Sequence, residues 1–363
     1  MEGILELLYG IPVLGLLFQL IGYLIDVIPG IAPIILGLAT PLALGALCGI
    51  MNERSGVVNI GIEGMMLSSA FMGFLAAAFA AEAFPAEPSS VLGFTLPLVI
   101  GVVAAVLTGM LLSLLHAWLS ISVRADQIIS GTIINIAAIG LTGYFNRLII
   151  SPNPGIGAGT FDSFDPPEAL TDLPVIGWIL DMLLDQGPIS LSLIVLIVGL
   201  QVLLFRSRWG LRTRAVGEHP KAADTVGINV IALRYRNVII GGAFAGLAGA
   251  YLTLEATSSF QNGMTAGRGF IALAAVIFGR WTPIGAFGAT LLFAASDAIG
   301  VAIGLRPPSD DLAQLGGILE AIPNEIFGAL PYLLTIIILA GVVGRSIPPA
   351  AVGQPYAKEG RAA

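Results

Sequence analysis

Long apolar stretches without charge constrain this chain more than any other feature of its sequence. The stretch at 91–117, for example, contains no Asp, Glu, Lys or Arg, and its apolar residues do not alternate with polar ones. A bilayer-spanning helix needs about 20 mostly apolar residues, whereas a strand of a membrane barrel shows about ten residues of alternating character. The pattern therefore predicts an all-α fold, a polytopic bundle of transmembrane helices.

The composition supports this class and sets the number of helices. Only 11% of the 363 residues are charged and 56% are apolar, against roughly 25% charged residues in an ordinary soluble domain. About ten spans of about 20 residues would occupy about 200 positions, which is close to the apolar fraction. We predict a single transmembrane domain over 1–363.

The spans are placed on apolar runs bounded by charges or by Pro and Gly clusters. The first run carries Glu2 and Glu6 where a signal peptide would be basic, so we expect a retained span rather than a cleaved signal. Gly-x-x-x-Gly pairs predict close helix packing at Gly45/Gly49, Gly242/Gly246 and Gly300/Gly304. The ten predicted spans lie at about 4–25, 31–50, 60–81, 91–117, 128–150, 189–205, 237–257, 269–279, 282–305 and 328–343.

The basic residues predict the orientation of these spans. If both termini are cytoplasmic, the outside segments hold only Arg147, Arg268 and Arg306 of the 16 Lys and Arg residues, as the enrichment of basic residues in cytoplasmic loops requires. The external loop at 151–188 is then long, acidic and rich in Pro and Gly. It either meets an external partner or is a solvated connector with a short interfacial helix around 175–184.

One predicted span is too short to cross a membrane alone. The run at 269–279 rises only about 16 Å at 1.5 Å per residue, so we predict either a half-helix or a short helix that leans on its neighbours. Short spans interrupted by Gly and Pro mark transporter sites. The segment at 61–73 aligns with 267–279, keeps Gly at both ends, and runs in the opposite direction in this topology. This weak match indicates either an inverted repeat or a chance likeness in a Gly- and Leu-rich chain.

The polar residues do not form a recognisable catalytic or metal site. Neither Lys221 nor Lys358 belongs to a phosphate-binding loop, and His116, His219 and Cys48 are too few and too far apart for a metal cluster or a catalytic triad. We therefore expect no enzyme activity and no cofactor on this chain. The net charge of -7 argues against a nucleic-acid partner.

The cytoplasmic segment at 206–236 contains seven of the basic residues and predicts a docking site. Pro220 suits the first turn of a short helix and Gly227 suits its end. Its Ala and Val residues, among them Ala223 and Val226, would form an apolar knob for a soluble partner. The alternative is a linker whose basic residues only set the orientation.

The same segment carries a family resemblance. Lys221, Ala222 and Ala223, followed after three residues by Gly227, resemble the Glu-Ala-Ala-x-x-x-Gly coupling loop of ATP-binding-cassette importer permeases, with Lys in place of Glu. The stretches GLRTRAVGEHPKAADTVGI, GGAFAGLAGAYL and GRGFIALAAVIFGRWTPIGA resemble the ribose and branched-chain amino-acid permease family. ALCGIMNERSGVVNIGIEGMM resembles its nucleoside and simple-sugar branch. These likenesses cover about 40–345.

The resemblance implies an importer in a bacterial plasma membrane. Its partners would be a second permease chain, identical or homologous, two cytoplasmic ATPase subunits that hold ATP and Mg, an external substrate-binding protein or lipoprotein, and membrane lipid. A nucleoside is the expected cargo and a simple sugar the next. The residues expected to couple the chain to the ATPase are Glu218, His219, Lys221, Ala222, Ala223, Asp224 and Gly227.

Polar residues inside the spans are candidates for the substrate pathway, because a charge at the bilayer centre costs about 2.5 to 3.5 kcal/mol and faces a cavity or the bundle interior. Asn59 and Glu63, four residues apart, are predicted to share one helical face. Glu63 is alternatively a structural clamp, and Phe145 an interfacial anchor. The candidates are the polar residues Asn59, Glu63, Asn135 and Asp297 and the aromatic residue Phe145, whose ring would stack on a base.

A competing hypothesis is a secondary transporter driven by an ion gradient. In that case Glu63, Glu255 or Asp297 would carry a proton or Na⁺. Such a transporter would move its solute without any ATPase subunit.

Overall fold

A computed structural model of the protein describes residues 12–84, 91–153, 155–157, 159–171, 173, 176–305 and 346–357. The regular structure in these residues is helical, which confirms the predicted all-α fold. The helices are α1 (Pro12–Glu53), α2 (Ile62–Ala83), α3 (Leu96–Ala117), α4 (Gln127–Phe145), α5 (Glu168–Thr171), α6 (Gly177–Leu184), α7 (Pro188–Arg206), α8 (Arg208–Glu218), α9 (Pro220–Thr225), α10 (Val230–Ala250), α11 (Arg268–Phe278) and α12 (Pro283–Leu305).

Short helical turns of other types complete this architecture. A 3₁₀ turn lies at Val91–Gly93. Single π-helical turns at Trp118–Val123, Asn146–Ile150 and Tyr251–Glu255 extend α3, α4 and α10. Helices α3, α4 and α10 therefore continue beyond their α-helical parts.

Seven helices in the described residues are long and apolar enough to cross a membrane. They account for most of the predicted spans, while the run at 328–343 lies outside the described residues. The seven are Phe18–Glu53, Ile62–Ala83, Leu96–Val123, Gln127–Ile150, Pro188–Arg206, Val230–Glu255 and Pro283–Ile303.

The prediction of two separate spans at 4–25 and 31–50 is wrong. Helix α1 runs without interruption over 42 residues, although Pro29, Pro33 and Pro41 lie inside it. A proline removes one backbone hydrogen bond, and apolar helices tolerate that loss where the freed groups find other partners. At 1.5 Å per residue α1 is about 63 Å long, about twice the thickness of a bilayer core.

The predicted short helices are confirmed. Helix α11 has 11 residues, the length expected of a half-helix. Helix α6 lies within the predicted external loop, where a short helix around 175–184 was expected. Helix α9 begins at Pro220 and is followed by Gly227, whose φ of 84° is the left-handed conformation that ends a helix.

Side-chain caps fix where three of the helices near the site begin. Asp126 accepts hydrogen bonds from the backbone N–H groups of Ile128 and Ile129 at the start of α4. Ser207 caps α8 and Asn229 caps α10 in the same way. Such caps satisfy N–H groups that have no partner within the helix.

The chain forms two compact units. The first holds the described residues within 1–38, 165–186 and 291–342, and the second holds those within 39–164, 187–290 and 343–363. In the first unit, the Gln186 side chain donates to the carbonyl oxygens of Pro33 and Met182 at 3.0 and 3.1 Å. These bonds connect the end of α6 to α1.

In the second unit, glycines bring α2, α3 and α10 into close contact. A Cβ added at Gly109 of α3 would lie 2.3 Å from the carbonyl oxygen of Gly242, and one added at Gly249 would lie 2.5 Å from that of Met66. The close packing predicted at Gly242 and its Gly-x-x-x-Gly partner is therefore confirmed.

Candidate functional site

Residues 54–61 form an irregular segment between α1 and α2, and two polar side chains hold its middle. Val58 donates its N–H to Gln127 Oε1 at 2.7 Å, and its carbonyl oxygen lies 2.9 Å from His116 Nε2. A carbonyl oxygen only accepts, so Nε2 carries the proton and Nδ1 accepts from the Ser130 hydroxyl at 3.0 Å. His116 is fully buried, which makes it a fixed support for the segment.

Asn135 of α4 holds the far end of the same segment. Its Nδ2 donates to the carbonyl oxygen of Ile60 at 3.0 Å, and its Oδ1 accepts from the N–H of Gly64 at 2.8 Å. Gly131 lies so close that a Cβ there would be 2.7 Å from the nitrogen of Gly61. Buried backbone N–H and C=O groups outside a helix need hydrogen-bond partners from elsewhere in the protein, and Asn135 supplies them here.

The irregular segment ends deep inside the second unit. The Ile62 side chain, at the start of α2, lies beside Gly45 and Gly49 of α1. These glycines precede the end of α1 at Glu53 by about 6 to 12 Å along the helix axis. The chain therefore turns back into the helical region before α2 begins.

The prediction that Asn59 and Glu63 share a helical face is wrong. Helix α2 begins only at Ile62, so Asn59 lies in the irregular segment. Its Oδ1 accepts from the N–H of Gly61 at 3.0 Å, and the side chain is fully buried. Asn commonly bonds to backbone two residues further on, and this local bond competes with helix formation.

Glu63 binds the N-terminus of the half-helix α11. Its two carboxylate oxygens accept from the N–H groups of Gly267 at 2.8 Å and Gly269 at 2.6 Å. A carboxylate is stabilised at this end of a helix by the partial positive charge of the unpaired N–H groups. Glu63 is 7% exposed. Its two hydrogen bonds tie the start of α2 to α11, as expected if Glu63 is a structural clamp, the alternative to a role in the substrate pathway.

Glu255 makes the same kind of contact with another helix. Its carboxylate accepts from the N–H of Ile189 at 2.7 Å and from the N–H and hydroxyl of Ser190 at 3.1 and 2.5 Å. These groups open α7. Both Glu63 and Glu255, which the ion-coupled hypothesis would use as carriers, are thus bonded to helix N-termini.

Helices α2 and α11 run in opposite directions. Gly45 and Gly49 of α1 lie beside both helices. From Gly45 to Gly49, the neighbouring residue of α2 changes from Met66 back to Ile62, whereas that of α11 changes from Ala272 forward to Val276. Each helix also begins one residue after the aligned glycine, Gly61 or Gly267.

The other two pathway candidates are Phe145, ten residues beyond Asn135 on α4, and Asp297, on α12. Phe145 ends α4, is 39% exposed, and packs edge-on against Tyr144 at 5.3 Å between ring centroids. The neighbouring Asn146 donates to Asn262 Oδ1 at 3.0 Å. Asp297 is half-buried on α12 and belongs to the first unit. Among the candidates in the second unit, Asn59, Glu63 and Asn135 lie together around the start of α2.

The coupling segment divides into an inward and an outward face. Ala223 is 4% exposed and packs in a cluster with Val216, Val230, Leu233 and Tyr356. Val226, by contrast, is 75% exposed. The predicted apolar knob is therefore only partly available to a partner. The other exposed members of the segment are Glu218, His219, Lys221, Ala222 and Gly227, while Asp224 is half-buried.

The end of α1 holds the turn between α11 and α12. The indole Nε1 of Trp281 donates to Glu53 Oε2 at 2.5 Å, and Arg54 Nε donates to the carbonyl oxygen of Trp281 at 2.8 Å. Arg280 and Trp281 both have positive φ, 52° and 54°, which L-residues rarely adopt. These bonds support that conformation.

Arg54 also lies next to the coupling segment. A Cβ at Gly217 would be 2.2 Å from the carbonyl oxygen of Arg54. Burial lowers the pKa of the Arg54 guanidinium, and the negative charge of Glu218 opposes this shift. Arg54, Gly217 and Arg280 were all predicted to be cytoplasmic, and their contacts agree with that topology.

Several of these residues do not belong to any motif that the sequence shows. Gln127 and His116 act on backbone groups, which no motif reveals. Two sequence features could have indicated the contacts at the end of α1. They are the adjacent charges Glu53 and Arg54 at the end of an apolar run, and Trp281 in a turn that contains Gly and Pro.

Comparison with known proteins identifies the family. Residues 31–339 match the model of the branched-chain amino acid transport system permease component family. The chain belongs to this permease family. The permease is a multi-pass membrane protein and not an enzyme. No solved structure matches it at a significant level.

Three relatives show what members of the family transport. The guanosine ABC transporter permease protein NupQ of Bacillus subtilis is 40% identical over 92% of this permease and 98% of its own length. The nucleoside ABC transporter permease protein NupC of Lactococcus lactis is 37% identical, over 88% and 94%. The putative glucose ABC transporter permease protein TsgC13 of Haloferax volcanii is 35% identical, over 88% and 95%.

Proposed function

We propose that this permease is the membrane subunit of an ATP-driven importer of nucleosides in a bacterial plasma membrane, with simple sugars as the alternative cargo. Its similarity to NupQ and NupC over most of both chains supports a nucleoside. The putative glucose permease TsgC13 is nearly as similar to the chain as NupC is, at 35% against 37% identity, and this keeps a simple sugar as the alternative.

The structure of the coupling segment is the single observation that carries an ATP-driven mechanism. Helix α9 is buried through Ala223 and presents Lys221 outward, and Val226, which follows the helix, is exposed as well. A short capped helix anchored on one side and exposed on the other suits docking into a groove of a cytoplasmic ATPase, which would hold ATP and Mg. The residues proposed to couple the two proteins are Glu218, His219, Lys221, Ala222, Ala223, Asp224 and Gly227.

The remaining partners follow from the importer assembly. An external substrate-binding protein or lipoprotein would deliver the solute, and the loop at 151–188 is a candidate contact. A second permease chain, identical or homologous, would complete the path. Helices α3 and α4 have wide apolar faces, such as Leu111 at 64% exposure and Ile136 at 67%. These faces suit membrane lipid or the second chain.

The irregular segment at 54–61 and the half-helix α11 suit a path that opens alternately to each side. Helices α2 and α11 run in opposite directions and each begins just after one of two aligned glycines, Gly61 and Gly267. An inverted repeat would have this arrangement. We assign Asn59, Glu63 and Asn135 to the wall of this path, and Phe145 to its outer mouth, where its ring would stack on a base. Asp297 stays a predicted pathway residue.

Uptake by reconstituted vesicles tests this proposal. Vesicles that contain the permease assembly, its ATPase and its binding protein should accumulate labelled guanosine when ATP is supplied to the ATPase side, and should accumulate labelled glucose more slowly. Vesicles without the ATPase serve as the control and should accumulate neither. Uphill uptake without the ATPase would instead establish the ion-coupled mechanism and reject the proposal.

A further inference from the structure

Residues 346–357, here called the C-terminal strap, contact several parts of the second unit. The strap contains turns and extended chain but no helix. At its beginning, the Ser346 hydroxyl donates to the carbonyl oxygen of Ile277 at 2.7 Å. Ile277 belongs to the last turn of the half-helix α11, so the strap starts on that helix.

The middle of the strap is bonded to the end of α8. The N–H of Ala351 donates to the carbonyl oxygen of Gly217 at 2.9 Å. The N–H of Ala350 donates to Glu218 Oε2 at 3.1 Å. Gly217 and Glu218 end α8, and His219 alone separates them from the coupling helix α9. These two bonds therefore attach the strap next to the start of that helix.

Near the end of the strap, one buried side chain packs against the coupling helix. The Gln354 carbonyl oxygen accepts from Arg234 Nη1 at 3.0 Å. Arg234 is 1% exposed, and its Nε also donates to the carbonyl oxygen of Ser55. Tyr356 is 7% exposed and shares a cluster with Ala223, the inward residue of α9.

These contacts make the strap a physical link between the coupling helix and the half-helix. Coupling between distant sites is carried by packed and hydrogen-bonded elements that move together. The strap is held by an aromatic side chain at the α9 end and by a hydrogen bond at the α11 end. A displacement of α9 would therefore be passed along the strap to the last turn of α11.

We propose that the C-terminal strap transmits movement of the coupling helix to α11, with Tyr356 and Ser346 as positioning residues at its two ends. This inference rests on the proposed function, because it assigns a task to the strap only if a motor moves α9. Neither residue is required to touch the solute or the ATPase.

The first test replaces Tyr356 with Ala in the complete assembly and measures labelled guanosine uptake per ATP hydrolysed. Loss of the ring should lower this ratio about tenfold, within the range of ordinary coupling free energies, while ATP hydrolysis stays within about twofold. Tyr356→Phe keeps the ring and should restore the ratio. The matched control is Ile347→Ala, which changes a strap side chain that is 78% exposed and should leave both rates unchanged.

A second test separates transmission from folding. In a Cys48→Ala background, Ser346→Cys with Ile277→Cys removes the hydroxyl that bonds α11 and should lower the uptake ratio. Joining the two thiols with a short bifunctional reagent should restore it, because the mechanical connection is remade. Cleaving the reagent should lower it again.

The outcomes distinguish the two proposals. A ratio unchanged by Tyr356→Ala, an equal fall in uptake and hydrolysis, or a failure of cross-linking to restore uptake in an intact assembly would each overturn the role of the strap. If the unaltered assembly does not couple ATP hydrolysis to solute uptake, the proposed function itself fails.

Discussion

At the scale of single residues, polar side chains hold the irregular backbone of this permease. Asn135 bonds Ile60 and Gly64, while Glu63 bonds Gly267 and Gly269 at the start of α11. The sequence marks both residues as significant because polar groups in apolar helices are costly. It does not reveal their partners, because these are backbone groups, and those of Glu63 lie far away in the chain.

Replacing Asn135 with Leu tests the hold on the irregular segment. The carbonyl of Ile60 and the N–H of Gly64 would lose their partners, and each buried unsatisfied group costs about 1 to 3 kcal/mol. We expect the free energy of unfolding in detergent, measured by denaturant titration, to fall by about 2 to 6 kcal/mol. The control is Thr132→Val on the exposed side of α4. Equal stability of the two variants would contradict the role of Asn135.

At the level of secondary-structure elements, the length of apolar runs and the Pro, Gly and charged residues between them predict most helices. They do not predict where two runs form one continuous helix. Helices α9 and α11 are where Pro220 and the short apolar run indicated. Helix α1 was divided wrongly because a proline in an apolar run does not tell whether the freed carbonyl finds another partner. The start of α2 was placed too early because the bonds of Asn59 compete with a helix.

Glycine contacts between elements give a sharper prediction. In Gly109→Val, the new Cβ would lie 2.3 Å from the carbonyl oxygen of Gly242, so α3 and α10 would separate. We expect a loss of stability above about 4 kcal/mol, which places the variant among the most damaging substitutions, and little folded protein in size-exclusion chromatography. Gly140→Val on α4, where a Cβ meets nothing within 4 Å, should behave as the unaltered chain. A folded Gly109→Val protein would refute the packing.

For the molecule as a whole, the proposed ATP-driven mechanism requires that the coupling segment lie on the cytoplasmic side of the membrane. The distribution of Arg and Lys predicts the cytoplasmic side, and the contacts of Arg54 with Trp281 and Gly217 place three predicted cytoplasmic segments together. The family could be inferred from the coupling motif and its flanking stretches. The strap could not, because its contacts depend on residues without any recognisable pattern.

Thiol labelling at Val226, just after the coupling helix, shows on which side of the membrane the coupling segment lies. Val226→Cys in a Cys48→Ala background places one thiol at an exposed position. Reaction with a membrane-impermeant maleimide shows on which side of the membrane this thiol lies and whether the bound ATPase covers it. The account predicts labelling in inside-out vesicles, none in intact cells, and protection when the ATPase is bound. Labelling of intact cells, or labelling unaffected by the ATPase, would contradict it.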